Sequence, residues 1–285
     1  MKSTRTSAAC LNIGARDGGR ASCTTRAALQ LGCCLVLGLM LDARTAHAYR
    51  PFEGTDGDVA EEGEFELELG PLHYAQEGKD KFFLTPTVLN LGVIPRMELV
   101  LDFVPLYPQQ GGPTEVTDTD VFAKYLLRSG VLQEETGPSI AVEAGPLIPE
   151  VNGEKGFGAS LNLIVSERWS WLTLHLNDEA ELSRKDLVFG WSTSLIAEAD
   201  VSSPIRPVAE ITWETVPNEK ANSFFGLLGA IWSVTEGLEL DAAGRIGSVE
   251  GTRAFEARLG LTWATYLWTP AGETPEPSVG GTALR

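Results

Sequence analysis

Cysteine is absent from the chain after Cys34, and the only histidines after residue 48 are His73 and His175. Two isolated histidines without cysteine are too few for a zinc site built from the usual ligands, so no metal is expected. Disulfide bonds and thiol chemistry are excluded from any form of the protein that lacks its first 48 residues. No cofactor is expected either, because the chain has no glycine-rich loop of the kind that cradles phosphates.

Long hydrophobic runs are also missing, apart from one near the start. Basic residues precede an apolar stretch from Ala27 to Leu41, and Ala46-His47-Ala48 follows it. This is the pattern of a secretory signal with its cleavage site near Ala48. A lipoprotein signal ending at Cys33 is disfavoured, because most of the apolar stretch lies after that residue. We therefore predict a cleaved signal peptide at residues 1–48.

Basic residues are scarce. The whole chain has 22 Lys and Arg against 39 Asp and Glu. The predicted signal peptide carries six of the basic and two of the acidic residues, which leaves 16 against 37 and a net charge of about −21. This balance argues against a nucleic-acid partner, because phosphate binding needs clusters of basic residues.

The sequence also lacks the periodicity of amphipathic helices. From Glu64 onward apolar residues alternate with polar ones, and no apolar stripe of period 3.6 persists. The clearest alternating segment runs from Met97 to Val104. The sequence therefore predicts an all-β protein.

The alternating segments number twelve. They lie at 64–75, 81–93, 97–107, 117–128, 138–146, 156–166, 170–177, 186–199, 206–216, 223–234, 237–247 and 252–266. The connections are tight at 94–96, 167–169 and 235–236, and longer and rich in Pro or Gly at 108–116, 147–155 and 178–185. Only the connection at 130–137 breaks this alternation of lengths. An even number of strands with such connections predicts a single closed, antiparallel, up-and-down transmembrane β-barrel.

Alternation alone does not show which face points outward, because a soluble barrel or sandwich has the same period. Only six lysines follow residue 48, whereas a water-exposed exterior usually carries more. Aromatic residues also collect near the predicted strand ends, as in the girdles of membrane barrels. These are Trp169, Trp171, Trp213, Trp232, Trp263, Tyr266 and Trp268. Composition thus favours the membrane barrel over a soluble periplasmic protein.

Several segments resemble one family of bacterial outer-membrane β-barrels. They are EEGEFELELG at 61–70, LNLGVIPRMELVLDFVPLY at 89–107, TDTDVFAKYLL at 117–127 and WSVTEGLELDAAGRIG at 232–247, the last followed by ARLGLTWATY. In order and spacing they resemble the transporter-like barrels grouped with a MetA-like protein of a phenol-degradation pathway. The resemblance covers nearly the whole mature chain. It implies an outer-membrane channel or transporter for small compounds, with hydrophobic or aromatic ones among the candidates.

The end of the chain departs from that family. Its members usually finish on an aromatic residue that the barrel-assembly machinery reads, whereas here a Pro- and Gly-rich tail follows Trp268. We therefore predict an N-terminal periplasmic segment at 49–63, the transmembrane barrel at 64–268 and a disordered tail at 269–285. The expected partners are outer-membrane lipid, the assembly machinery and an unidentified small solute.

Alternation assigns charged residues to the inside of the barrel. The acidic ones are Glu64, Glu66, Glu68, Glu98, Asp102, Glu210, Glu214, Glu239, Asp241 and Glu256, and the basic ones are Lys124, Arg128, Arg245 and Arg258. Either they pair across strands and fill a narrow lumen, or their acidic excess makes an open pore favour neutral and cationic solutes. The second interpretation predicts that neutralising Asp241 and Glu256 changes the cation preference of conductance.

Two further functions compete with a channel. One is a barrel without transport that presents its loops and tail to partners. The other is an outer-membrane esterase or phospholipase using Ser170 and His175. Catalysis is disfavoured, because His175 is predicted to face the lumen and no nucleophile motif surrounds a serine.

Overall fold

The alternating segments form long β-strands in a computed structural model that describes residues 50–199 and 203–268. The strands are β1 Glu64–Glu77, β2 Asp80–Leu84, β3 Thr87–Ile94, β4 Met97–Pro108, β5 Glu115–Arg128, β6 Ser139–Leu147, β7 Gly158–Trp169, β8 Leu172–Leu182, β9 Phe189–Ala199, β10 Ile205–Val216, β11 Ala221–Thr235, β12 Leu238–Val249 and β13 Thr252–Tyr266. A single 3-10 turn, Val131–Gln133, lies between β5 and β6. The predicted signal peptide and tail lie outside the described residues.

The sheet closes on itself, because β1 pairs with β13 along its length, from Glu64 opposite Tyr266 to Glu77 opposite Ala254. Both β2 and β3 pair with β1 and β4, so they are two halves of one barrel strand. Pro86 interrupts this strand, and β1 has an irregular register next to Pro71, because proline has no amide to donate. The thirteen segments therefore make the predicted closed antiparallel barrel of twelve strands.

The connections between strands lie at two ends of the barrel. We call the end where β1 begins and β13 finishes the terminal end, and the opposite one the far end. The predicted turn at 167–169 is displaced to Ser170 and Trp171, because β7 continues to Trp169. The predicted connection at 178–185 is likewise shortened, since β8 continues to Leu182. Two described connections have ten residues each, 129–138 at the terminal end and 148–157 at the far end, and the other fully described ones have two to six.

The outer surface of the barrel is apolar. Exposed large hydrophobic side chains include Leu99, Leu101, Leu161, Leu163, Leu195, Ile211, Leu228, Ile246 and Leu259. Aromatic residues border this belt at the terminal end with Tyr125, Trp169, Trp171, Trp232 and Trp268, and at the far end with Tyr107, Phe157, Trp191, Trp213 and Phe224. Asp178, hydrogen-bonded by Thr193, is a polar exception on this face. Such a surface suits a bilayer flanked by two interfaces.

The inner surface carries most of the buried polar and charged side chains. Apolar residues also point inward near the far end, where Phe82, Leu84, Val104 and Leu106 form a cluster with Ala75. Among the described residues, no helix is long and apolar enough to cross a membrane.

Candidate functional site

Residues 50–63 lie inside the barrel, and we call them the lumen segment. The segment enters at the terminal end, where the Glu61 amide donates to the Glu64 carboxylate at 2.9 Å. Nearby, the Ala60 amide donates to Glu98 Oε2 at 2.6 Å. The expectation that these residues form a periplasmic segment is therefore corrected. They return into the lumen, because the barrel wall offers acceptors for their amides.

The middle of the lumen segment crosses the barrel on hydrogen bonds to wall side chains. The amides of Glu53 and Gly54 donate to the carboxylate of Glu210 at 3.0 and 2.9 Å. The Thr55 amide donates to Asn177 Oδ1 at 3.0 Å, and the Gly57 amide donates to Ser166 Oγ at 2.8 Å. A buried segment without regular structure must satisfy its amides in this way. The polar wall of β7, β8 and β10 thus serves as its binding surface.

A buried ionic network holds the first residues of the lumen segment, at Pro51 and Glu53. Arg258 binds the carboxylates of Glu53 and Glu256, and its Nη1 donates to the Pro51 carbonyl at 2.8 Å. Glu256 also accepts from Arg245 Nη1 at 2.7 Å and contacts His73 Nε2 at 2.9 Å. Charges removed from water are tolerated only when they are paired in this manner. The network joins β1, β12 and β13 to the lumen segment.

Two further cations hold the segment at other points. Lys124 Nζ lies 3.3 Å from Glu98 Oε1 on the neighbouring strand and 3.7 Å from Asp56 Oδ1 of the segment. Arg50 Nε lies 3.5 Å from Asp241 Oδ2. The lumen segment therefore contacts wall residues on several sides of the barrel and crosses the lumen between them.

A cavity of about 220 Å³, which we call the vestibule, lies between the lumen segment and the far end. One wall, on β3 and β4, includes the apolar side chains of Val88, Val100 and Val104, which alternate there with Glu98 and Asp102. The opposite wall, on β9 and β10, carries the hydroxyls of Ser192, Ser194 and Thr212. These walls face each other, because four barrel strands separate them on either side in the circular order of twelve. The vestibule can contact a solute that has both an apolar and a polar side.

Acidic residues line one side of the outer part of the vestibule. Glu181, Glu219 and Glu250 come from β8 and from two far-end turns, and all three line the cavity. Glu179 and Glu214 lie deeper, on β8 and β10. Like charges at a pore entrance concentrate ions of the opposite sign. This arrangement can therefore concentrate cations at the far end.

The predicted site residues fall into two groups in the structure. Those that lie inside the barrel are Glu98, Asp102, Lys124, Glu210, Glu214, Asp241, Arg245, Glu256 and Arg258. Arg128 does not, and its predicted position in the lumen is corrected. An irregular register between Leu126 and Arg128 ends β5 at the rim, where the exposed guanidinium binds the carbonyls of Thr136 and Pro138.

The structure also changes the choice of residues for a selectivity test. Asp241 and Glu256 are bound to Arg50 and to Arg245 and Arg258, respectively. Their neutralisation would take one carboxylate partner from each of these buried arginines and would disturb the lumen segment. The acids of the vestibule are the better targets.

The histidine considered for catalysis lies beside a different serine from the expected one. Ser170 is in an exposed turn with φ +52°, whereas His175 Nδ1 lies 2.8 Å from Ser166 Oγ on the adjacent strand. His175 Nε2 lies 3.6 Å from Glu198. The Gly57 amide donates a hydrogen bond to Ser166 Oγ, and Ser166 is fully buried. In this state the hydroxyl is engaged with the lumen segment and is closed to a substrate.

No group of three or more His, Cys, Asp or Glu side chains suited to a metal ion occurs in the described part of the chain. No known protein-family description matches the sequence, and no curated protein matches it either. The likeness to other proteins lies in the fold.

Solved structures with a similar fold are outer-membrane channels and porins. An outer membrane channel from Pseudomonas putida F1 aligns with a TM-score of 0.55 and 12% identity, over 74% of this chain and 98% of that one. The NanC porin aligns at 0.52 and 9% identity, over 70% and 98% of the two chains. The KdgM porin, solved with disordered oligogalacturonate, aligns at 0.50 and 11% identity, over 70% and 99%. The chain therefore has the fold of bacterial outer-membrane channel barrels.

Proposed function

We propose that the protein is an outer-membrane channel for small solutes whose lumen is closed at rest by residues 50–63. The observation that carries this proposal is a polar lumen crossed by a segment that is held by side-chain contacts and belongs to no strand. The solved proteins of the same fold support it, because they are described as a channel and a porin. Transport requires the lumen segment to move or leave, and that movement is the gate.

The membrane position follows from the two aromatic borders and the apolar belt between them. We place the terminal end in the periplasm and the far end at the cell surface, so a solute enters the vestibule first. Export relies on the predicted signal peptide. A band in the outer-membrane fraction whose mobility changes on boiling is the expected behaviour.

The solute that we propose is small, neutral or cationic, and partly apolar. The three valines on β3 and β4 suit a hydrophobic or aromatic group, and the hydroxyls opposite them suit polar groups. The acidic entrance disfavours anions. This agrees with the small hydrophobic or aromatic compounds that the sequence resemblance implies.

Neutralising the entrance tests this selectivity. In the triple variant Glu181→Gln, Glu219→Gln and Glu250→Gln, we expect the cation-to-anion permeability ratio to fall by at least about twofold, because the entrance loses three negative charges. Reversal potentials across bilayers in a KCl gradient measure the ratio. The matched control replaces Glu134, Glu135 and Glu236, which are exposed at the terminal end. If the control lowers the ratio as much as the triple variant, net charge rather than the vestibule sets selectivity.

The competing functions make different demands. A barrel without transport predicts no conductance from folded protein, with or without the lumen segment. We propose no catalysis, because the Gly57 amide binds the hydroxyl of Ser166 beside His175.

A further inference from the structure

The lysines of the mature chain are unevenly placed. Five of the six that follow residue 48 lie at the far end, together with the exposed Arg253 and the buried Arg184, which pairs with Asp120 and Glu150. The exposed ones, which we call the far-end cations, are Lys79, Lys81, Lys155, Lys185, Lys220 and Arg253. In a chain of strongly negative net charge, this concentration at one rim requires a physical reason.

The basic residues of the two ends use their donors differently. At the terminal end, Arg96 donates to the carbonyls of Leu126 and Leu127 at 3.0 Å each. Arg128 and Arg168 also bind protein oxygens there.

Among the six far-end cations, only Lys155 has a side-chain hydrogen bond or ion pair within the described residues, to the Glu150 carbonyl at 2.7 Å. The donors of the other far-end cations are available to an external ligand.

The two far-end cations that belong to strands, Lys81 and Arg253, lie on the membrane side of the wall. Lys81 alternates with Phe82 and Leu84, which point into the lumen, and Arg253 alternates with inward-facing Ala254. The nearby acids lie on the other face. Asp80 shares the inward register of Phe82, and Glu250 lines the vestibule. Around Lys81 and Arg253 the charges are thus sorted, with the acids towards the pore and the cations towards the bilayer.

Aromatic side chains lie directly below these cations. Tyr74 and Phe83 pack edge to face, with ring centroids 5.8 Å apart, on the same outward face as Lys81. Lys220 shares a surface groove with Trp213 and Phe224. Aromatic belts mark the level of the lipid headgroups, so the far-end cations lie at headgroup depth.

We propose that the far-end cations bind the phosphate groups of the glycolipid in the outer leaflet, that is, of lipopolysaccharide. Lysine is a compact point charge that suits phosphate, and a basic cluster beside a membrane is attracted to anionic headgroups. The cluster also offsets the repulsion that a chain with a net charge of about −21 would meet at an anionic surface. The inference rests on the proposed orientation, with the far end at the cell surface.

The tightest group of far-end cations provides the test. Lys79, Lys81 and Arg253 lie on adjacent strands, and the Gly78 amide donates to the Arg253 carbonyl at 2.9 Å. Full-length protein in nanodiscs is titrated with lipopolysaccharide. For Lys79→Gln, Lys81→Gln and Arg253→Gln together, we expect an affinity about tenfold or more below that of the wild type, since three charges are lost at the membrane surface. The matched control replaces Arg96, Arg128 and Arg168 by Gln and is expected to keep its affinity.

Two results would overturn the proposal. One is equal affinity of the wild type and the far-end variant. The other is competition by inorganic phosphate at concentrations equal to the lipid phosphate, which would indicate a site for free phosphate. The conductance of the far-end variant in uncharged lipid is measured in parallel. A channel that conducts there while affinity is unchanged leaves the proposed function intact and removes only the lipid site.

Discussion

Deletion of residues 50–62 is expected to raise single-channel conductance several-fold over the wild type. The lumen segment crosses the barrel from the Lys124 side to the Arg258 side, so its removal leaves a lumen limited only by wall side chains. Planar-bilayer recordings of refolded protein measure the change. A mobility shift on boiling verifies that the deleted form is still a closed barrel.

A point variant tests whether the channel opens when the lumen segment is loosened rather than deleted. Glu210→Leu removes the acceptor of the Glu53 and Gly54 amides, while the whole segment remains in the chain. We expect more frequent transitions to the high-conductance level of the deleted form. Unchanged conductance in both variants, with the barrel folded, would mean that ions bypass the segment and that it is not the gate.

Arg258→Met is expected to destabilise the folded barrel by about 3–5 kcal/mol, because it leaves the buried carboxylates of Glu53 and Glu256 short of a cation. Unfolding in urea from lipid vesicles measures the change. Arg253→Met is the matched control, because Arg253 lies on the same strand with an exposed side chain. It is expected to change the free energy of unfolding little.

A double variant shows whether the loss comes from the unpaired charge. Adding Glu53→Gln to Arg258→Met removes the carboxylate that has lost its nearest cation, while Glu256 stays paired with Arg245, and is expected to recover part of the stability. If Arg258→Met unfolds like the control variant, the ionic network does not hold the lumen segment and our interpretation of the site fails.

The strands were predictable because each one is encoded by the alternation of polarity within its own segment. Residues 97–104 alternate in polarity, and the strand observed there, Met97–Pro108, places Glu98 and Val100 inside as alternation requires. The inner face of β10, with Glu210, follows from the same period. The exceptions have local chemical causes. Proline divides the second barrel strand, and an irregular register moves Arg128 to the rim.

The lumen segment was not predictable from the sequence. Residues 50–63 have no periodic pattern, and their partners are remote, since Arg258 contacts a residue 205 positions away in Glu53. Alternation indicates that charges face inward, but only the structure shows which of them bind the segment and which line the vestibule. Inward acids such as Glu210 and Asp241 bind amides or an arginine of residues 50–63. The excess of inward acids over inward cations is the trace that this segment leaves in the sequence, but it does not identify the segment.

A reversible cross-link tests the gate most directly. A Cβ placed on Gly57 would lie 3.3 Å from Cβ of Ser139, close to the separation in a disulfide. The predicted mature chain has no other cysteine, so Gly57→Cys with Ser139→Cys gives one defined bond. Single-channel conductance is recorded before and after reduction, with each single-cysteine variant as a control. We predict that the oxidised protein stays at its lowest conductance level and that reduction restores openings, whereas identical openings in both states would contradict a gate formed by the lumen segment.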